Sequence, residues 1–346
     1  ACLSSVTSDP AISFGQSRIW KVSDLPRGKG GRLIIQFTSV REGWLADRMN
    51  LWRTLDGGLN WDLVYSSNES VESFQFVDSG NGFLMIFKTE DGGRSWRRLL
   101  TPLAFPRGTL RAFRFSTGGK VGWIVGGIYR PVTREELSRS PYPNYGIVAL
   151  PNDLYGVAEG VIFRTDDGGR TWHEQFRSRD VHMFLDLSFI DPRRGVALAD
   201  TDVFYTEDGG RSWQAINFGA DCVGWKSMVV SERRPVDACF VGSIGWLSYT
   251  DGYMAKSKDG GRTWCDLVHP GEIRFNSSYE AFFQKIRFLD QAYGLGLSAD
   301  GALYETRDGG ASWAGISAST RFEDLYLFDA DHIWAVTSEG LFHIAP

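Results

Sequence analysis

The sequence has no apolar run approaching the roughly 18 residues that a membrane-crossing helix needs, which argues against a helical integral membrane protein. It also lacks a strong charge of either sign. Its 37 Lys and Arg against 42 Asp and Glu leave a formal net charge of -5, so nothing draws it generally to nucleic acid or anionic lipid. Histidine is scarce, at five residues, and no His-x-x-x-His, Cys-x-x-Cys or Gly-x-Ser-x-Gly pattern occurs. Neither a metal ion nor another cofactor is expected from that inventory. Only four cysteines are present: Cys2, Cys222, Cys239 and Cys265. The last three are an odd set that closes at most one disulfide internally, and Cys222 with Cys239 gives the shortest loop. The chain begins at Ala1 rather than Met, as it would after loss of a leader. Cys2 stands where a bacterial lipoprotein carries its acylated cysteine, so the expectation is an exported bacterial protein, periplasmic or extracellular, with a lipid anchor at Cys2.

Apolar and aromatic residues are plentiful, 42% and 14% of 346 residues, enough for a sizeable soluble core. They are organised by a repeat. TLDGGLNW (54–61), TEDGGRSW (89–96), TDDGGRTW (165–172), TEDGGRSW (206–213), SKDGGRTW (257–264) and TRDGGASW (306–313) are six copies of one pattern, with Asp-to-Asp intervals of 35, 76, 41, 51 and 49 residues. Asp accepts backbone N–H groups in tight turns, paired glycines supply positive φ, and Trp opens the next strand with a large apolar surface. A second, looser repeat precedes the first: an aromatic or aliphatic stretch, turn residues, then Gly and another apolar residue, as in QFTSVREGWLA (36–46) and QFVDSGNGFLM (75–85).

Together the repeats describe a four-stranded antiparallel unit, strands A to D, with the aromatic-Gly hairpin between A and B and the DGG turn between C and D. Seven A–B hairpins and six DGG turns predict an all-β, seven-bladed propeller. The last blade stops at its third strand, and GQSRIWKV (15–22) is placed to supply the fourth from the N-terminus, closing the ring and covering exposed edges. The chain reads as one domain over 1–346, with a tail at 1–11 and an insertion at about 127–157, between strands B and C of blade three. That insertion, rich in Pro, Tyr and Arg, is expected to lie outside the sheet. Blade two has the opposite irregularity, a B–C hairpin cut nearly to nothing. Blade five is ambiguous, its A–B hairpin assigned to SMVVSERRPVDACFVG (227–242).

The S/T-x-D-x-G-x-S/T-W copies resemble the Asp-box, or bacterial neuraminidase repeat, with Asn60 replacing the usual hydroxyl residue in the first. The DGG spelling and the single seven-unit ring are similar to the photosystem II stability/assembly-factor family over nearly the whole length. That resemblance implies a non-catalytic, assembly-factor-like protein binder in which Asp56, Asp91, Asp167, Asp208, Asp259 and Asp308 are structural. A sialidase reading fails on its signature: no Arg-Ile-Pro occurs near the N-terminus, Ser17-Arg18-Ile19-Trp20 being the nearest approach.

Strand alternation places the A–B and C–D turns on one face and the B–C and D–A connections on the other. On the first face the sequence puts Arg41, Arg193, Arg194, Arg233 and Arg234, with Arg94, Arg170, Arg211 and Arg262 at its rim. Guanidinium forks bind carboxylates bidentately, so this face is the expected dock for a protein partner, anionic in character, on a monomeric propeller. On the second face lie Asp47, Asp200, Asp202, Asp251, Asp300 and Glu339, with Glu135 and Glu136 on the insertion. Two of them at hydrolase spacing would make a glycoside hydrolase, the alternative function, although Asp-Gly and Glu-Gly pairs are also ordinary turn formers. A lectin-like glycan binder is the other alternative, with Tyr129, Tyr142 and Tyr145 stacking on sugar rings. The weight of these features is against an enzyme.

Overall fold

The computed structural model describes residues 17–26, 31–67, 71, 73–103, 108–135, 147–149, 155–200, 202–218, 234–268, 282–317 and 320–346. Seven sheets form a ring, each built on four antiparallel strands, and two of them carry a fifth: Ile147–Ala149 in blade three and Asn217–Phe218, which pairs parallel with Thr263–Val268, in blade five. Their first strands are Ile34–Phe37, Phe74–Phe76, Gly108–Phe115, Phe184–Phe189, Pro235–Val241, Phe283–Phe288 and Asp324–Asp329. The last blade continues through His332–Thr337 and Gly340–Ala345, and Arg18–Ser23 is its fourth strand, pairing antiparallel from Arg18↔Ala345 to Ser23↔Leu341.

The two sequence repeats meet in the core around one aromatic ring in each of the first six blades. Near the end of strand A in these blades a phenylalanine lies over the glycine that opens strand B, whereas the last blade has Leu327 there and opens strand B with His332. A methyl group on that glycine would come within 2.5 Å of Phe37 at Gly43, 2.4 Å of Phe115 at Gly122 and 2.6 Å of Phe288 at Gly294. On its other side the ring stacks on an aromatic residue from strand B of the preceding blade. The centroid separations are 3.7 Å for Trp44 on Phe76, 3.4 Å for Phe83 on Phe115, 3.8 Å for Trp123 on Phe189 and 3.7 Å for Trp246 on Phe288. Trp334 of the last blade stacks on Phe37 of the first at 3.8 Å, so the seam has the same packing as the other joints. The Trp that ends each DGG pattern then meets its own blade's Phe edge-on, from Phe37–Trp61 at 6.4 Å to Phe288–Trp313 at 5.9 Å.

The DGG turn is a closed hydrogen-bond ring. In blade two Thr89 Oγ1 donates to Asp91 Oδ1 at 2.7 Å, while the Ser95 backbone N–H and hydroxyl donate to the two oxygens of Asp91 at 2.9 and 2.6 Å. Gly93 N–H returns to Thr89 Oγ1 at 2.9 Å, and Trp96 Nε1 donates to the Gly93 carbonyl. The carboxylate thus reaches four residues ahead and two behind, further than the simple turn expected from sequence. Both glycines have positive φ, 74° and 93° here, which residues with a Cβ adopt only under strain. The hydrogen bonds hold these carboxyls below the usual range. In Asp56 the Asn60 side-chain amide is the largest cause, followed by the Asn60 backbone N–H, and the carboxyl falls to about 2. In Asp208 burial opposes the shift, and the bonds from Ser212 and Thr206 outweigh it.

Two expectations are corrected. The described parts of the blade-three insertion do not lie outside the sheet, its residues 136–146 and 150–154 being outside the described set. Strands B and C are lengthened to Gly122–Val132 and Tyr155–Thr165 and pair as far as Val132↔Tyr155, and Ile147–Ala149 adds to the C strand. The β-branched and aromatic residues Ile128, Tyr129, Val132, Tyr155 and Val157 suit an extended ribbon, and they outweigh the Pro content on which the expectation rested. In blade five strand A begins at Pro235 and its hairpin with Ile244–Tyr249 turns at Gly242 and Ser243, not at Arg233-Arg234. Proline is accepted at the first residue of a strand because no ladder bond is required there. In blade two the B–C hairpin is a two-residue turn in which Met85 adopts φ 48°, the one non-glycine residue with positive φ among the described residues.

Replacement of Gly122 by Ala should destabilise the protein by about 1–3 kcal/mol in chemical denaturation, the cost of overpacking a filled site. Removing the Asp208 carboxylate, as in Asp208→Ala, should cost roughly 1–3 kcal/mol through its lost charged hydrogen bonds. Because the folded carboxyls titrate below the unfolded value of about 3.8, their stabilisation is complete above that pH and is lost as pH falls toward about 2. Melting temperatures recorded across that window should fall less steeply in Asp56→Asn than in the wild type.

Candidate functional site

A backbone bond fixes how the two kinds of turn on the first face sit together. The first glycine N–H of each DGG turn donates to a carbonyl in the same blade's A–B turn: Gly57 to Arg41, Gly92 to Gly80, Gly168 to Lys120, Gly209 to Arg193, Gly260 to Ser243 and Gly309 to Ala292, at 2.7 to 2.9 Å. Arg41, Lys120 and Arg193 therefore occupy the same position in blades one, three and four. All three are exposed. Within the described residues their charged ends have no hydrogen bond or ion pair, and the same holds for Arg94 and Arg170 on neighbouring DGG turns. Lys120 escaped the sequence reading, which counted arginines; its signal is its alignment with Arg41 and Arg193 in the repeat.

The other predicted arginines divide. Arg194 is spent on Asp191, at 2.8 Å, and Arg262 on Glu207, at 2.5 Å. Arg211 donates from Nη1 to the Asp208 carbonyl of its own turn. Arg234 is on the opposite face, because it precedes strand A of blade five rather than ending it. Its backbone exchanges bonds with Thr250 in the B–C turn, N–H to Thr250 Oγ1 at 3.3 Å and carbonyl from Thr250 N–H at 2.9 Å. Arg233 lies outside the described residues.

Four acids of the second face are engaged close to where they stand, while among the described residues Glu339 is bonded only through its backbone N–H, to Thr337. Asp47 is buried and accepts from Met49 N–H and Asn50 N–H, both at 2.7 Å. Asp200 meets His182 Nδ1 at 3.1 Å, Asp251 accepts from Tyr253 N–H at 3.2 Å, and Asp300 accepts from the Ser298 hydroxyl. Tyr129 is engaged through its hydroxyl with Thr109; Tyr142, Tyr145 and Glu136 lie outside the described residues. Along the axis, a cavity of about 580 Å³ is lined by residues including Arg114, Asp237, Cys239 and Arg287. Its charges link blade to blade. Arg114 pairs with Asp186 at 2.7 Å, Arg287 and the Ile286 N–H both reach Asp237 at 2.7 Å, and Lys285 pairs with Asp324, which also accepts from Ile35 N–H. Gln36 and Gln75 clasp the backbones of Phe76 and Phe115 in the same way. Among the described residues no cluster of three or more His, Cys, Asp or Glu is placed to hold a metal ion, and no helix is long and apolar enough to cross a membrane.

No protein-family model matches the chain. It is similar to the photosystem II assembly lipoprotein Ycf48 of Synechococcus sp. (strain CC9902), 28% identical over 169 residues, which cover 42% of this chain and 48% of that protein. The match thus spans about half the length of that relative. Among solved structures the chain resembles YCF48 bound to a D1 peptide, with 18% identity, a TM-score of 0.64 and coverage of 98% of this chain and 100% of that one. YCF48 from Cyanidioschyzon merolae matches with 15% identity, a TM-score of 0.56 and coverage of 95% and 98%. The GH74 xyloglucanase from Xanthomonas campestris gives 15% identity and a TM-score of 0.59 over 94% of this chain but 53% of that one. At these identities the structural likenesses establish the propeller fold.

The cysteines depart from expectation. Cys239 is a free thiol, which excludes the Cys222–Cys239 pairing, and Cys265 is disulfide-bonded to a partner outside the described residues. Cys239 lies opposite Trp246 within blade five and lines the axial cavity. Burial pushes its thiol up to about 12 despite the neighbouring Arg287 guanidinium, so little thiolate forms near neutrality. Non-reducing peptide mapping should recover Cys265 in a disulfide. Iodoacetamide at pH 8 should modify Cys239 slowly in the native protein and rapidly once it is denatured.

Proposed function

We propose that this chain is a non-catalytic, assembly-factor-like propeller that docks an anionic segment of a protein partner on its A–B/C–D face. The observation that carries the reading is the set of exposed basic side chains at equivalent turns, Arg41, Lys120 and Arg193, flanked by Arg94 and Arg170, whose charged ends make no hydrogen bond or ion pair to a described residue. Exposed guanidinium and ammonium groups on turns that the backbone bonds fix can form charge-assisted bonds to a partner's carboxylates without breaking a bond within the propeller. The likeness to Ycf48, an assembly lipoprotein, and to YCF48 bound to a D1 peptide supports a peptide or protein segment as the thing docked. Arg194 acts here by orienting Asp191 and its turn rather than by contact.

We also propose that the chain is a monomeric, exported bacterial protein with a lipid anchor at Cys2. The disulfide at Cys265 supports an oxidising compartment, and the lipoprotein name of the relative supports export.

Affinity capture of a partner from envelope extracts of the native organism, followed by titration of that partner, tests the reading. The triple reversal Arg41→Glu, Lys120→Glu and Arg193→Glu should weaken binding at least tenfold, about 1.4 kcal/mol, with an unchanged melting temperature. The affinity of the wild type should fall as salt rises. Binding unaffected by the reversal would place the docking surface elsewhere.

A further inference from the structure

Six copies of one turn give an internal standard for what the fold itself requires. The residue before the Asp is Glu90, Asp166, Glu207, Lys258 or Arg307 in five copies, and the residue after the second Gly is Arg94, Arg170, Arg211, Arg262 or Ala311. Blade one alone has leucine at both places. Leu55 is 54% and Leu59 59% exposed, so neither fills the core. They are joined on the same face by Val40, 38% exposed, from the A–B turn that the Gly57-to-Arg41 bond holds against them. Another exposed leucine, Leu63, is the second residue of the following strand, Asp62–Ser66. Four of the seven large hydrophobic residues exposed among the described residues therefore belong to blade one. Isolated exposed leucines need no explanation, but contiguous ones mark interaction surfaces.

The residue that links the two A–B turn observations is Arg41. It follows Val40 directly, is exposed, and its guanidinium has no hydrogen bond or ion pair to a described residue. It also continues the row of basic positions that runs through Lys120 and Arg193. An apolar corner bordered by an unpaired cation suits a segment with the complementary order, apolar beside acidic.

We propose that blade one supplies the apolar anchor of the docking face. Val40, Leu55 and Leu59 receive an aliphatic or aromatic side chain of a peptide segment in a protein partner, and Arg41 receives an acidic residue next to it. This rests on the arginine-face reading above and adds to it what fixes the orientation of the bound segment. Charge alone is tolerant of register, whereas a desolvated apolar contact at one end of a charged row selects one.

The test uses residues that the chain already tolerates. Leu55→Glu with Leu59→Arg turns TLDGGLNW into TEDGGRNW, with the Glu and Arg found in blades two and four, and leaves net charge unchanged. A random dodecapeptide library displayed on phage is panned against the wild-type protein. Affinities of the enriched peptides are then measured by fluorescence anisotropy for the wild type, for the leucine double variant and for Arg41→Glu with Arg193→Glu. The expected peptides place an aliphatic or aromatic residue beside Asp or Glu, and lose at least tenfold in affinity for either variant. Loss with the arginine variant alone overturns the apolar anchor while leaving the charged face standing. Loss with neither variant, or failure to enrich any peptide, overturns both. A concentration-dependent dimer in sedimentation that the leucine variant abolishes would assign the corner to a second copy of the chain, and binding to neutral lipid vesicles that it abolishes would assign it to a membrane; either result overturns the peptide occupant.

Discussion

One aromatic ring in each of the first six blades holds the ring of blades together. It lies flat on a glycine of its own blade and edge-on to the Trp of its own DGG turn. At five joints it also stacks on an aromatic residue of the blade before. Each such pair contributes about 0.5–1.5 kcal/mol beyond the area it buries. More importantly, the geometry leaves no alternative spacing, since the glycine admits no side chain and the ring has neighbours on both faces. Where the second aromatic is missing, Val196 faces Phe240 and Leu295 packs near Leu327, and apolar contact replaces stacking. The Trp334–Phe37 pair makes the joint between last and first blades like the rest. The N-terminal strand then completes a blade that is already docked on its neighbour.

That constraint divides the surface into residues committed to the fold and residues that are not. In the DGG turn the Asp, the hydroxyl two residues before it, the glycines and the Trp are each consumed by bonds or packing. The residue before the Asp and the residue after the second Gly are not required by the turn; several pair with a neighbouring charge, as Glu90 does with Lys88 and Glu207 with Arg262, while Arg94 does not. The same division holds along the axis, where charges that could suggest chemistry are spent between blades: Asp237 on blade six and Asp324 on blade one. On the second face Asp47, Asp200, Asp251 and Asp300 are likewise engaged. What remains uncommitted is the row of basic side chains on the A–B/C–D face and the leucine pair at its blade-one end.

The repeat was legible because its chemistry is local. Asp91 and Ser95 are four residues apart, and Gly122 follows Phe115 by seven, so the turns and hairpins announce themselves in a linear pattern. Blade five shows where such reading fails. Arg233-Arg234-Pro235 looks like the Pro192-Arg193-Arg194 turn of blade four, and only the pairing of Pro235 with Tyr249 reveals a strand start. The insertion fails similarly, since its composition suggests a loop while its pairing with the Tyr155–Thr165 strand makes it part of the sheet. Lys120 was overlooked because its role depends on superposing turns rather than on residue type.

By itself the sequence determined the all-β class, the seven units, the turn that joins third strand to fourth and the aromatic residues that pack behind it. Those depend on contacts among residues within one hairpin, where spacing along the chain is spacing in space. Tertiary structure alone decided which charges were already spoken for. Arg262 is neutralised by Glu207, 55 residues away in the neighbouring blade, and Arg194 by Asp191, while Arg41 and Arg193 keep their charge for something else. It also decided that Arg234 faces away from them and that Cys239 stays a thiol. Facing and pairing across blades follow from how the rings stack, and no single hairpin carries that information.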